Sequence, residues 1–203
     1  MQISLSKNDK KETDVKYASF VKGIIGTDDI LTDGVPEIAF VGRSNVGKSS
    51  VINSLVNRRN LVKVGKKPGK TTEINFFSIN NKEVYFVDLP GYGYAKISPK
   101  QKDKIRKLIL WYLMYSEAPI FKVVLILDVK VGLTDFDKEM LNVLREHGYP
   151  YLLVANKEDK INQKELSEKL RSIKEEAQEA VVFPYSALTR KKSDALFKEI
   201  LGV

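Results

Sequence analysis

The order of elements predicts an α/β domain. It should have a mostly parallel six-stranded sheet, one antiparallel edge hairpin and helices on both faces. Three observations carry this. Short Val-, Ile- and Phe-rich runs alternate with stretches of helical period along most of the chain. One pair of such runs, and no other, is close enough to form a hairpin. The run at 123–127 is continuous rather than alternating, as in a strand buried on both faces. At 203 residues the chain can bury a full core, and it shows no internal repeat.

The elements follow in order. Residues 1–16 are polar and read as a flexible arm, leaving 17–203 as a single domain. Residues 17–25 are apolar without a clear period. Residues 37–41 form a short strand that runs into a Gly-containing turn, and 49–56 a helix with Val51, Ile52, Leu55 and Val56 on one side. Residues 57–72 hold Gly65, Pro68 and Gly69 and read as a loop. Strands 74–79 and 84–87 are joined through Asn80-Asn81. Ser98, Pro99 and Gln101 spell an N-cap, a proline at the first helical position and a capping box for a helix ending near Tyr115. After strand 123–127, a helix at 135–146 stops before Gly148. Strand 151–154 precedes a helix capped by Asn162 with Glu165. Strand 181–183 and helix 193–201 close the fold.

Composition excludes several classes. There is no Cys, hence no disulfide, thiolate metal site or Cys nucleophile. The apolar runs are too short to span a bilayer, and the N-terminus lacks the apolar stretch of a signal peptide. A cytoplasmic protein with no membrane partner is expected, acting as a monomer. Lys and Arg number 34 against 26 acids, a net charge of +8 that favours polyanionic partners. Arg58, Arg59, Lys63, Lys66, Lys67 and Lys70 fall in one acid-free loop. The lone His147 lies past a helix end and reads as a surface or capping residue.

Five segments then fall at the carboxyl ends of strands, where open α/β sheets bind ligands. Gly42, Arg43, Ser44, Asn45, Val46, Gly47, Lys48 and Ser49 spell G-x-x-x-x-G-K-S between a strand and a helix. In that context the backbone N–H groups and helix N-terminus cradle phosphates, Lys48 reaches the β- and γ-phosphates, and the Ser49 hydroxyl binds Mg²⁺. Asp88, Leu89, Pro90 and Gly91 follow. A carboxylate there can hold Mg²⁺ through water, and the Gly91 N–H can meet the γ-phosphate. Thr71 or the adjacent Thr72 could complete the metal shell. Asn156, Lys157, Glu158 and Asp159 come next. The Asp159 carboxylate can accept both the ring N–H and the exocyclic amine of guanine, a donor pair that adenine lacks. Asn156 can reach the other edge of the base, and the Lys157 stem can lie over its face. Ser186-Ala187 is placed for a backbone contact to guanine O6. The set reads as a pocket for GTP or GDP with Mg²⁺. A metabolic P-loop kinase is excluded, because Asp88–Gly91 and Asn156–Asp159 would have no use there.

The set resembles the EngB (YihA/YsxC) family of TRAFAC-class small GTPases. The resemblance rests on Gly42 to Ser50, Lys67-Pro-Gly-Lys-Thr71 and Asp88-Leu-Pro-Gly-Tyr-Gly-Tyr-Ala-Lys96, and it extends from Pro36 to the end. It implies a P-loop GTPase fold and selects Thr71 as the metal-sensing residue, giving Ser49, Thr71 and Asp88 as the Mg²⁺ set and Lys48, Thr71 and Gly91 as the catalytic set. It adds Ser50, Gly69, Lys70 and Tyr185 to the nucleotide contacts. It also implies a role in assembly of the large ribosomal subunit, with a link to cell division and septation. Two departures exist. The guanine segment begins with Asn where the family usually has Thr, and Tyr185-Ser186-Ala187 stands where Ser-Ser is frequent.

Tyr92 follows Gly91, where a Gln would orient the attacking water in Ras-like enzymes, so slow intrinsic hydrolysis is expected. By analogy with related GTPases, Asn45 is a candidate ligand for a K⁺ ion standing in for a catalytic cation. The basic loop 57–72 is the expected contact to rRNA or ribosomal large-subunit particles. A signalling GTPase that binds only proteins is the alternative, and salt-sensitive association with such particles separates the two.

Overall fold

The structure is a computed structural model that describes residues 15–62, 73–93, 97–178 and 180–202. Most of the predicted N-terminal arm, Lys63, Lys66, Lys67, Gly69, Lys70, Thr71 and Thr72 lie outside the described residues. The strands are β1 (Ala18–Ile24), β2 (Glu37–Gly42), β3 (Ile74–Ile79), β4 (Val84–Asp88), β5 (Ile120–Asp128), β6 (Tyr151–Asn156) and β7 (Val182–Pro184). The helices are α1 (Lys48–Leu55), α2 (Pro99–Tyr115), α3 (Asp135–Glu146), α4 (Gln163–Glu176) and α5 (Ser193–Leu201). Among the described residues, no helix is long and apolar enough to cross a membrane.

The sheet runs β1-β3-β4-β2-β5-β6-β7. From β4 to β7 every pairing is parallel, while β3 is antiparallel to both β4 and β1. The α/β class and mostly parallel sheet therefore stand. One strand was not expected: residues 18–24 form β1, which takes the edge outside the β3–β4 hairpin and brings the described sheet to seven strands. The reason the pattern hid it is physical. β1 is an edge strand with mostly exposed side chains and a register shift between Phe20 and Lys22, so no buried face imposes alternation.

Alternation inside the sheet divides the core. Ala39 and Val41 of β2, with Val123, Leu125 and Leu127 of β5, face α2, α3 and α4, where Ile109, Tyr112, Met140, Leu144 and Ile173 are buried. Ile38, Phe40, Val124 and Ile126 face α1 and α5, against Ile52, Leu55, Phe197 and Ile200. Period-two strands buried on both sides account for the continuous apolar runs.

Local signals hold at the ends of elements. Ser98 and Gln101 form the capping box of α2 with Pro99 at its start, and Asn162 with Glu165 does the same for α4. His147 is the exposed C-cap of α3, followed by Gly148 at φ 67°. The hairpin turn is wider than two residues. Asn80, Asn81 and Lys82 all have positive φ, and Glu83 N donates to Ile79 O at 3.1 Å. The Asn80 side chain accepts from Lys16 N at 2.9 Å, attaching the chain ahead of β1 to this turn.

Candidate functional site

β2 lies between β4 and β5, and α1, which follows β2, packs on the opposite face of the sheet from α2, which follows the neighbouring β4. The crevice at its carboxyl end is thus a topological switch point. Residues 43–47 occupy it and lead into α1. Gly47 sits at φ 98°, and a Cβ there would lie 2.4 Å from Asn156 Nδ2. A Cβ on Gly42 would lie 2.5 Å from Ile126 O. Both positions of the loop therefore require glycine, the first for backbone conformation and space, the second for space alone.

Two neighbours hold the loop in shape. Ser44 N donates to Tyr92 O at 2.7 Å and Ser44 Oγ to Gly91 O at 3.2 Å, so the Asp88–Gly91 segment is attached to the phosphate loop through one serine. On the other side Lys157 Nζ donates to Asn45 O at 2.7 Å and pairs with Asp128 at 2.8 Å. Asp128 was not anticipated. It ends β5 beside Asn156 of β6, and no motif in the sequence marks it.

At the phosphate end, Lys48 and Asp88 are both buried and form an ion pair. The ammonium and the carboxylate meet at the mouth of α1, with Ser49 and Ser50 half-buried in its first turn. This donor set, one carboxylate and hydroxyl groups, fits Mg²⁺ that takes its other oxygens from phosphate and water.

At the opposite end, a cavity of about 400 Å³ is lined by Gly47, Ser50, Asn156, Lys157, Asp159 and Ala187, with Arg59 and Leu188 at its walls. Asp159 is exposed to it and accepts from Ser186 Oγ, whose oxygen in turn accepts from Thr189 N at 3.2 Å. An ionised carboxylate has about four acceptor positions, so this bond leaves room for two ligand donors.

Several predicted residues also hold the surrounding structure together. The buried Asn156 donates from Nδ2 to Val46 O at 2.8 Å and accepts at Oδ1 from Ala187 N at 3.1 Å. It joins the phosphate loop to the Ser186-Ala187 loop, with both ends of its amide engaged by backbone. Tyr185 is fully buried, with its hydroxyl between Ser54 Oγ at 2.8 Å and Ser193 Oγ at 2.7 Å. Its N–H donates to Ala155 O and its carbonyl accepts from Glu158 N. It fixes α1 against α5 and has no atom to offer a ligand. Glu158 pairs with Lys192 at 2.8 Å, and Leu89 and Pro90 are buried.

Tyr92 turns into the core. It is 5% exposed, stacks obliquely on Phe136 at 4.3 Å, and its hydroxyl donates to buried Asp137. Asp137 also accepts from Thr134 N at 2.8 Å and Thr134 Oγ1 at 2.6 Å, capping α3. Burial and the Asp137 charge push the Tyr92 phenol well above its ordinary pKa. Tyr92 therefore anchors the Gly91 segment to α3 and does not face the crevice.

The sequence model of the 50S ribosome-binding GTPase family matches residues 37–157. A probable GTP-binding protein EngB of Clostridium perfringens is 46% identical over 161 residues, covering 79% of this chain and 81% of that protein. The crystal structure of a probable GTP-binding protein engB superposes with a TM-score of 0.68 at 28% identity, covering 82% of this chain and 98% of the other. The structure of Era with MgGDPNP and nucleotides 1506–1542 of 16S ribosomal RNA gives a TM-score of 0.65 at 28% identity, over 82% of this chain and 55% of that one.

Proposed function

The chain belongs to the EngB family of GTP-binding GTPases, and from that premise we propose that it is a slow, Mg²⁺-dependent GTP switch that acts on large ribosomal subunit particles in the cytoplasm and is needed for normal cell division. The observation that carries the nucleotide assignment is the cavity running from Gly47 to Asp159 beside the buried Lys48–Asp88 pair. The phosphates lie along residues 43–49 and the α1 N-terminus, where N–H groups and the helix dipole favour anions. Ser49, Thr71 and, through water, Asp88 would hold Mg²⁺, which would neutralise charge on the phosphates. Lys48 exchanges its carboxylate partner for phosphate oxygens. Gly91, attached to the phosphate loop by Ser44, senses the γ-phosphate.

Two tests bear on the site. Ser49→Ala should keep the fold, since this side chain supports no packing the core needs, and should lose most of the Mg²⁺ enhancement of GTP affinity. Equal responses to Mg²⁺ in both proteins would remove Ser49 from the metal set. Asn45, exposed and at φ 71°, is the proposed K⁺ ligand, and a hydrolysis assay tests it. Hydrolysis should be faster in K⁺ than in Na⁺, and equal rates would dismiss the ion.

The ribosomal reading is supported by the net charge of +8, the matched family's description and the rRNA bound to the Era neighbour. Co-sedimentation with ribosomal subunits under GTP, GDP and no nucleotide tests it. Lys63, Lys66 and Lys67 are proposed to meet rRNA phosphates. Replacing all three with Gln should flatten the salt dependence of particle binding by roughly one log–log unit per lost contact while leaving GTP affinity unchanged. Normal particle binding across the salt series would exclude the loop.

A further inference from the structure

The nucleotide site makes no use of the N-terminal half of α2. Lys100, Lys102, Lys104, Arg106 and Lys107 crowd its first nine residues against one acid, Asp103, and its first turn contains no acid. Cations at a helix N-terminus oppose the macrodipole, so these lysines do not serve the helix. Spacings of four, three, four and four put Lys100, Lys104, Lys107, Trp111 and Tyr115 on one stripe, about 22 Å long.

Two of those cations have no protein partner among the described residues. Lys100 and Lys104 make no ion pair, and Lys107 pairs with Asp103 at 2.8 Å across an exposed surface, a contact worth little. Arg106 points to the other flank and is held by Glu139. At the stripe's end, Lys104, Lys107, Leu108 and Trp111 enclose a cavity of about 310 Å³ with Ile25, Gly26 and Thr27. Tyr115, one turn on, is 69% exposed. The nearby Asp28 carboxylate is neutralised by Lys22 at 2.8 Å, so it does not repel an anion.

A row of ammonium groups leading to an indole-lined cavity and a second free aromatic ring is the chemistry of single-stranded nucleic acid. Cations follow the phosphates, and unstacked bases lie on aromatic faces. We propose that the Lys100–Tyr115 stripe binds single-stranded RNA, with phosphates on Lys100, Lys104 and Lys107 and a base in the Trp111 cavity. This rests on the ribosomal reading for the class of partner and adds a surface separate from the basic loop.

The test uses the full chain and a short oligouridylate, which cannot pair with itself. Trp111 is the sole tryptophan, so its fluorescence reports the cavity. Saturable quenching is expected, with affinity falling roughly 20-fold or more between about 50 and about 200 mM salt for three phosphate contacts on a single strand. The Lys100→Gln, Lys104→Gln, Lys107→Gln variant should lose about two units of the log–log salt slope while hydrolysing GTP normally. Tyr115→Ala, at an exposed position, should bind about tenfold more weakly. Absence of quenching overturns the proposal. So does a triple variant with the wild-type slope, or a stronger response to an acidic peptide or to anionic vesicles than to the oligonucleotide. If ribosomal particles still co-sediment with the protein in any of those cases, this surface alone is dismissed and the ribosomal reading stands.

Discussion

Asp159→Asn should invert the base preference of the site. GTP affinity should fall at least about a hundredfold and xanthosine triphosphate affinity should rise, because a buried donor or acceptor left unpaired by the wrong ligand costs far more than a missing apolar contact. The carboxylate accepts two donors from guanine. An amide offers one acceptor and one donor group, which matches xanthine, with its additional carbonyl. The variant keeps the bond from Ser186 Oγ, since the Asn carbonyl can accept it as the carboxylate does. Loss of the loop therefore does not account for the change. Binding of both nucleotides is measured on the same preparation. A parallel drop for the two would mean that Asp159 supports the loop and does not read the base.

Much of this site was legible because its chemistry is local. The phosphate loop is a contiguous run whose glycines are dictated by backbone geometry, and the structure gives the reason at Gly47, where φ is 98° and the Asn156 amide leaves no space for a Cβ. Helix caps were readable for the same reason, since Ser98–Gln101 and Asn162–Glu165 are closed within four residues. Contacts made across the sheet were not readable. Asp128, Tyr185 and the Tyr92–Asp137–Thr134 chain join residues far apart in sequence. Sequence reasoning noticed that Tyr92 lacks the amide of a Gln. That its ring is buried against Phe136 follows only from the packing of α3. Asn156 is placed beside the base by its motif, while the part its amide plays in joining two loops follows only from the folded sheet that brings them together. β1 was missed because an edge strand can form without the alternation that burial imposes on its neighbours.

Glu37→Gln should gain stability relative to wild type as pH rises from 5 to 8. Glu37 begins β2 and is fully buried; the Tyr112 hydroxyl donates to one carboxyl oxygen, while Oε1 has no hydrogen-bond partner among the described residues. Burial, only partly offset by the Tyr112 bond, raises its pKa from 4.5 to about 8, and the Asp33 charge adds to the rise. The sign follows from proton counting. Below pH 4.5 both folded and unfolded chains carry the proton and the group is neutral to stability. Between 4.5 and about 8 the unfolded chain has released it and the folded chain retains it, so each pH unit costs the fold about 1.4 kcal/mol. By pH 7 the loss is on the order of 3 kcal/mol, and it levels off above the folded pKa. Gln carries no such linkage and can still accept from Tyr112. Its extra N–H shifts stability by a constant that does not change with pH. At 2–4 °C per kcal/mol for a chain of this size, the variant's melting temperature relative to wild type should rise by roughly 5–10 °C between pH 5 and pH 7, whatever that constant is. Glu37 lies at the opposite end of β2 from the phosphate loop, about 16 Å along the strand, so GTP affinity at a temperature where both proteins are folded should not change. Thermal melts of both proteins across this pH range decide the matter. A gap that stays constant with pH would mean that the carboxyl is ionised in the folded state, with water or an unseen partner reaching Oε1.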